Sequence, residues 1–492
     1  MRRRSQREGS GMFDGAQPSR GICLAVILLM LVWGLTDVRR RADIDTANIG
    51  AHRTDFTVYT EAGAAFFDGR DPYAVTNVRG WHYLYPPLFA ILVAPLHPLP
   101  AAWQGVIWFV LSLAMAGGCL FECQAIMRTV LRGGEGVRSD WRKIRRWVVV
   151  GAGLAVVFPI LDTLQRGQVG LAVLWPLLIG FRLILESDGW PRSFLGGLFL
   201  SLSVTIKVTP ALPVCVLLLG LLAGALRRDR PPPPRQRFLH AVGGVLTGLA
   251  LCVLLIPALA VGWQENLRHL EAWSTRVATN ERRGPDQQFN AHSVRNQSLA
   301  NAVYRLGNWV EHAVGGGPDD RRADNLAPAG DPLPMDAAIV GHMVTAARAL
   351  LLALLVSVAV RWRPPADALG QAAVFGLACA MTLPVSPISW GHHFVMLLPG
   401  ALFVPLAVCA AGRHRAAQAL AVSAAALLWA HYASLELAGG LAGRLGIPGI
   451  GMALWCVAAS LWLLRRPASL SEGGCRVPAV SDLAEAARGG SA

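Results

Sequence analysis

Charge is scarce in this chain. Of 492 residues only 15% are charged, against 53% hydrophobic and a mean hydropathy of +0.43. That is too little polar surface for a soluble protein of this length and enough apolar length for many bilayer crossings. Nucleotide-binding signatures are missing too: there is no Walker sequence and no GxGxxG after a strand, which argues against direct use of ATP or a nucleotide sugar. Lysine is almost absent, confined to Lys143 and Lys207, so the positive charge is nearly all arginine and Lys207 stands out. Cys23, Cys119, Cys123, Cys215, Cys252, Cys379, Cys409 and Cys456 lie in or beside apolar segments and Cys475 in a polar tail, a spacing that suggests neither a disulfide nor a metal site.

What is present in abundance is apolar sequence in runs. They fall at about 21–36, 103–124, 147–161, 168–185, 194–206, 208–226, 238–262, 337–361, 367–384, 393–411, 415–435 and 447–464. This predicts an all-α polytopic membrane protein of about 12 transmembrane helices, several of them short or broken by proline. The first run follows the charged segment 1–20 without a small-x-small cleavage site and is expected to stay as a signal anchor. The net charge of +14 sits in short clusters between the runs, so it is a topology signal and no nucleic-acid partner is expected. With Arg2, Arg3 and Arg4 inside, the clusters from Arg128 to Arg146, at Arg192, from Arg227 to Arg237, at Arg361 and Arg363, at Arg413 and Arg415, and at Arg465 and Arg466 all fall on the cytoplasmic side. Two long loops, 37–102 and 263–336, then face out. The transmembrane domain runs over 21–466, followed by a cytoplasmic tail, 467–492, expected to be disordered. The proline-rich piece Pro86 to Pro100 is a poor span and is placed at the interface. A multi-pass protein of the inner membrane is the expected location.

The same topology gathers the polar motifs on the non-cytoplasmic face. Asp55 opens a short helix ended near Gly69, with Tyr59 one turn along the same face; Asp55 either caps that helix or carries chemistry. Trp81 to Leu88, including Tyr85, suits an aromatic belt better than direct chemistry. Asp162 to Gln168 forms a polar knot in which Arg166 and Gln168 are fit to hold a phosphate or a sugar hydroxyl. Lys207 lies beside Pro210 in an otherwise apolar stretch, where an uncompensated charge costs about 2.5–3.5 kcal/mol; it either snorkels to the headgroups or meets a lipid phosphate. Asn296 precedes a helix that it or Ser298 caps. His392 and His393 have no HExxH or carboxylate spacing around them, so hydrogen bonding to phosphate or sugar is favoured over metal.

An outward-facing enzyme without cytosolic nucleotides needs a donor that arrives in the membrane. A polyprenyl-phosphate sugar fits, with its phosphate at Lys207, Arg166, His392 or His393 and its sugar towards Asp55, Tyr59, Tyr85, Gln168 and Asn296. Asp55 would take the proton of an acceptor hydroxyl and the cations would stabilise the departing phosphate, inverting the anomeric centre. The acceptor would be a lipid or glycan, with membrane lipids as the other partners and no cofactor or metal. The rivals are a lipid-linked substrate transporter or flippase, which would also carry broken helices and intramembrane charge, and an assembly protein without catalysis.

Six motifs in order carry a resemblance: the run from Asp55 to Tyr73, Tyr85-Pro86-Pro87-Leu88, Arg166-Gly167-Gln168, Lys207-Val208-Thr209-Pro210, Asn296-Gln297-Ser298-Leu299 and Ser386-Pro387-Ile388-Ser389-Trp390-Gly391-His392-His393. Over roughly residues 50 to 400 the chain resembles the polyprenol-phosphate-mannose-dependent α-mannosyltransferases of the superfamily C glycosyltransferases, similar to the enzyme that extends phosphatidylinositol mannosides. The resemblance implies mannose as the transferred hexose and Asp55 as catalytic base. Val169 departs from the asparagine that relatives often carry after the Gly-Gln pair, and nothing after about residue 415 adds a motif.

Overall fold

The computed structural model describes residues 20–44, 48–131, 140–187, 189–226, 233–275, 295–303, 305–306, 337–361, 368–437 and 440–465. The expected N-terminal segment up to residue 19, the tail 467–492 and most of the loop 263–336 lie outside the described residues. Among the described residues there is no strand, only two isolated β-bridges, Thr76 with His82 and Asn296 with Trp390.

Each of the twelve apolar stretches coincides with a helix. They are α1 (Arg20–Ala42), α4 (Ala101–Leu131), α5 (Asp140–Arg166), α6 (Gly170–Leu185), α7 (Trp190–Ile206), α8 (Ala211–Ala225), α9 (Pro233–Leu249) with its continuation α10 (Ile256–Val261), α12 (Ala337–Arg361), α13 (Ala368–Val385), α14 (Leu397–Ala410), α15 (His414–Leu437) and α17 (Ile447–Leu464). Eight of the described helical stretches are long and apolar enough to cross a membrane. Gly170–Leu185 and Ala211–Ala225 are shorter apolar helices, and α7 has 17 residues. The remaining pieces are α2 (Phe56–Phe67), α3 (Pro87–Val93), α11 (Trp263–Trp273) and α16 (Leu441–Arg444).

Burial divides the bundle into a centre and a rim. The spanning windows of Ala368–Val385 and Gly391–Ala410 are 83% and 89% buried, whereas those of Arg235–Val261 and Gly341–Arg361 are 22% and 28% buried and present their apolar side chains outward. Lipid tails are as apolar as leucine, so close fit rather than water exclusion holds such helices together. The fit is visible where Phe181 of α6 stacks on Phe375 of α13 at 4.0 Å between ring centroids, and where Gly376 lies so close to Pro399 that an added Cβ would stand 2.5 Å from its carbonyl oxygen.

The break between α9 and α10 shows how a local defect is repaired. Pro257 supplies no N–H, and the six residues Ala250–Leu255 widen into a π-helix. The carbonyls that lose their helical partners are taken by Asn266 of α11, whose Nδ2 donates to Val253 O at 3.0 Å and to Leu254 O at 3.4 Å. Gly262, at φ 95°, makes the reversal that returns α11 over this end. The Pro86 to Pro100 piece does not cross: it is the seven-residue α3 followed by a 3-10 turn, Ala94–Leu96.

Arg128, Arg192, Arg235, Arg361, Arg413 and Arg465 lie at or near one set of helix ends. The opposite ends, after α5, α7 and α13 and before α6, α8 and α14, meet and hold the polar motifs.

Candidate active site

Asp55 occupies the N-cap position of α2, yet its side chain makes no capping bond. Its backbone N–H donates to Arg166 O at 2.8 Å, and its carboxylate turns inward instead. Gln168 Nε2 donates to Asp55 Oδ2, and Arg166 Nε lies 3.7 Å from the same oxygen. The other oxygen, Oδ1, is buried and has no hydrogen-bond partner. The junction depends on Gly167. It sits at φ 68°, and a Cβ there would approach Thr54 Oγ1 to 2.7 Å and Phe56 Cβ to 2.9 Å, so a side chain would be both strained and crowded.

Two tyrosines fix which way the Gln168 amide points. Tyr59 Oη donates to Gln168 Oε1 at 3.3 Å and Tyr85 Oη lies 3.5 Å from it. With the carbonyl end occupied by hydroxyl donors, the NH₂ end is left for the carboxylate. Burial raises both phenols above their ordinary value, so they remain protonated donors. Burial also pushes the Asp55 carboxyl up, to about 6, against the opposing pull of Arg166 and Gln168. A carboxylate of that kind is matched to proton abstraction near neutral pH.

The aromatic segment is not a belt at the headgroups. Tyr83 is fully buried, its hydroxyl donating to Pro86 O at 2.7 Å and accepting from Ala90 N at 3.0 Å. Tyr59, Tyr83, Tyr85, Phe89, Phe56 and Trp108 pack ring on ring as a wall beside Asp55. Trp81 is half-buried, with the guanidinium carbons of Arg79 and Arg166 at 5.1 and 5.8 Å from its ring.

Lys207 leaves the end of α7 in an extended conformation, at φ −152° and ψ 133°. Its Nζ lies 2.8 Å from His393 Nε2 and 5.4 Å from the centre of the Tyr85 ring. Tyr85 therefore stands between the cation and the Gln168–Asp55 pair. Lys207 and His393 line one small cleft with Thr209, Ser386, Ser389 and the apolar side chains of Val173, Leu383 and Met396. The lining sets one cation and one imidazole against apolar side chains.

The four residues expected at a phosphate thus separate into two pairs. Lys207 and His393 line the cleft, whereas Arg166 stands beside Asp55 and Trp81, and His392 Nδ1 lies 3.7 Å from Asp162 Oδ2. The adjacent histidines stay in contact, their rings meeting edge to face at 88° with centroids 4.5 Å apart inside a 3-10 turn, Gly391–Met396, but they meet different partners. Asn296 is buried, and its Oδ1 accepts from Ser298 N and Ser389 N, both at 3.1 Å, which ties its loop to the one before His392. Only its Nδ2 is left without a partner. Ser298 does act as a cap, accepting from Asn301 N at 3.4 Å. Among the described residues no group of three or more His, Cys, Asp or Glu is arranged to hold a metal ion.

Two members of the site were given no role by the sequence. Asp162, first residue of the polar knot, stands one helical turn before Arg166, a spacing that flags a shared face. Tyr432 stacks on Phe158 at 5.1 Å and abuts Gly391, from a stretch of α15 with no local signal at all.

The chain is 27% identical over 379 residues to the polyprenol-phosphate-mannose-dependent alpha-(1-2)-phosphatidylinositol mannoside mannosyltransferase of Mycolicibacterium smegmatis, covering 71% of this chain and 68% of that protein. It is 26% identical over 397 residues to the corresponding pentamannoside mannosyltransferase of Mycobacterium tuberculosis, covering 78% and 72%. Among solved structures, ArnT from Cupriavidus metallidurans in the apo state aligns with a TM-score of 0.40 and 15% identity over 91% of this chain and 78% of that one. The family model described as Glycosyltransferase family 87 matches residues 83–387, more than half of the chain, and it sets aside the transporter and assembly readings. This multi-pass membrane protein is a glycosyltransferase and belongs to family 87.

Proposed function

We propose that the protein transfers a hexose, mannose, from a polyprenyl-phosphate donor to a lipid or glycan acceptor on the non-cytoplasmic face of the plasma membrane. The observation that carries this reading is the divided carboxylate of Asp55. One oxygen is held by Gln168 and Arg166 while the other is buried and unpartnered, and a cation waits across Tyr85 in an apolar cleft. Two relatives are named for polyprenol-phosphate-mannose and for phosphatidylinositol mannosides, which supports the choice of donor and a glycolipid acceptor.

In the reaction the acceptor hydroxyl attacks the anomeric carbon as its proton passes to Asp55 Oδ1. The bond from that carbon to the phosphate oxygen breaks, and its electron pair leaves with polyprenyl phosphate. Lys207, supported by His393, meets the charge that builds on that oxygen. Attack opposite the leaving group inverts the anomeric centre. Arg166 and Gln168 hold the base in place, and the aromatic wall keeps water from competing with the acceptor.

The test is transfer of radiolabelled mannose from synthetic polyprenyl-phosphate mannose to membrane lipid extract by purified protein, with Asp55→Asn in parallel. Label in a new product with the wild type alone is the expected result. No product from any of several polyprenyl-phosphate sugars would refute the donor class, and near-wild-type turnover by Asp55→Asn would remove it as the base.

A further inference from the structure

A second intramembrane cation is bonded to the loop that walls the cleft. Arg348 lies near the middle of α12, within the spanning stretch Gly341–Arg361. Its Nη2 donates to Ser386 O at 3.2 Å, its Nε is buried without a hydrogen-bond partner, and among the described residues no carboxylate pairs with it. Charged residues within spanning helices are rare, pair with one another or with backbone carbonyls, and mark substrate pathways.

The acceptor of that single bond is informative. Ser386 lines the same cleft as Lys207 and His393, on the loop where α13 gives way to Pro387 and Ile388. Arg348 is therefore joined to the cleft through Ser386. Its helix packs against α8, α13 and α17 but shows Met343, Leu350 and Val356 on its exposed surface, so α12 lies between the cleft and the lipid. A lipid headgroup moving from bilayer to Lys207 past α12 passes this guanidinium.

We propose that Arg348 is the receiving residue for the lipid-borne phosphate, engaging it at the lipid-side rim before Lys207 does and again as the spent carrier leaves. This rests on the polyprenyl-phosphate reading above. The planar fork suits the task. Nη2 stays on Ser386 O while the unpartnered Nε–H, covered in the unliganded protein, opens to a phosphate oxygen, a division a lysine ammonium cannot reproduce. Arg348 makes no contact with Asp55 or its partners, so it acts in donor capture and not in the chemical step.

The experiment measures binding of polyprenyl phosphate and of polyprenol of the same chain length to purified protein in nanodiscs, for wild type, Arg348→Gln and Arg348→Lys. Wild type is expected to prefer the phosphorylated lipid, Arg348→Gln to lose about tenfold of that preference, and Arg348→Lys to lose three- to tenfold while remaining folded. Polyprenol binding should be equal in all three, and donor KM should rise by the same factor with kcat and acceptor KM unchanged. Either folded variant matching wild type on the phosphorylated lipid overturns the inference, and the lysine variant decides the matter if the glutamine variant does not fold. Displacement of the lipid by millimolar inorganic phosphate would show a site for the free anion and overturn it too. Wild type that binds neither lipid differently would instead defeat the polyprenyl-phosphate reading itself.

Discussion

The protein buries charge at both ends of its bundle, and the two clusters are built differently. Near the arginine-rich ends, Arg182 of α6 lies 2.5 Å from Glu122 of α4 and 3.1 Å from Glu186, and Thr129 Oγ1 donates to Glu186 Oε1 at 2.6 Å. At the other end Arg166 and Asp55 stand 3.7 Å apart, as do His392 and Asp162. Asp55 Oδ1, Asn296 Nδ2 and Arg348 Nε have no hydrogen-bond partner there. A closed network fixes helices and has nothing left to offer a ligand. An open one carries a standing desolvation cost that a bound substrate relieves, and the openness marks the site more clearly than charge alone does.

If that contrast holds, substitutions at the two ends should fail in different ways. The largest effect is expected for Asp55→Asn, a loss of about 10³-fold in transfer rate with unchanged thermal unfolding and unchanged binding of polyprenyl phosphate. Glu122→Ala should do the reverse. It strips one partner from Arg182 while Glu186 remains, costing about 1–3 kcal/mol of stability, with turnover per folded molecule within about twofold of wild type. Equal loss of turnover from both would erase the distinction. Lys207→Ala is next in size: donor KM should rise about tenfold, and a selective rise in acceptor KM would put the cation on the wrong substrate.

The smallest effect is the most specific. Asp55 must lose its proton to act as a base, so kcat/KM should climb as pH rises through about 6, the value to which burial lifts the carboxyl, and fall away below it. Gln168 favours the charged form by donating to it, so Gln168→Leu should move that limb to higher pH, and Tyr59→Phe should move it less in the same direction. A limb that stays put in Gln168→Leu would mean that the amide does not orient the base.

Much of this arrangement was legible in the sequence because membrane proteins advertise their topology. Apolar length locates each of the eight helical stretches that, among the described residues, are long and apolar enough to cross, and Lys207 stands out as a charge with no business in an apolar stretch. The same criterion applies to Arg348, which was hidden only by the density of arginine elsewhere. Whether the Asp55 carboxylate caps α2 was not resolvable locally, since its partner is Gln168, 113 residues away. Arg166 and His392 were grouped with the phosphate residues by chemistry, yet the direction a side chain takes at a helix end depends on the neighbouring helix. Tyr432 had no local signal because its partners, Phe158 and Gly391, lie on other segments.

The contact between Lys207 and His393 joins residues 186 positions apart, and this fixes when the enzyme can come alive. A ribosome delivers Asp55, then the Arg166–Gln168 turn, then Lys207, long before the Ser386–His393 loop reaches the membrane. Until that loop arrives the cleft has no far wall and Lys207 lacks its imidazole. Catalytic competence is therefore a late event in biogenesis, and a chain stalled before residue 390 would insert most of its helices yet remain unable to harm the lipid carriers around it.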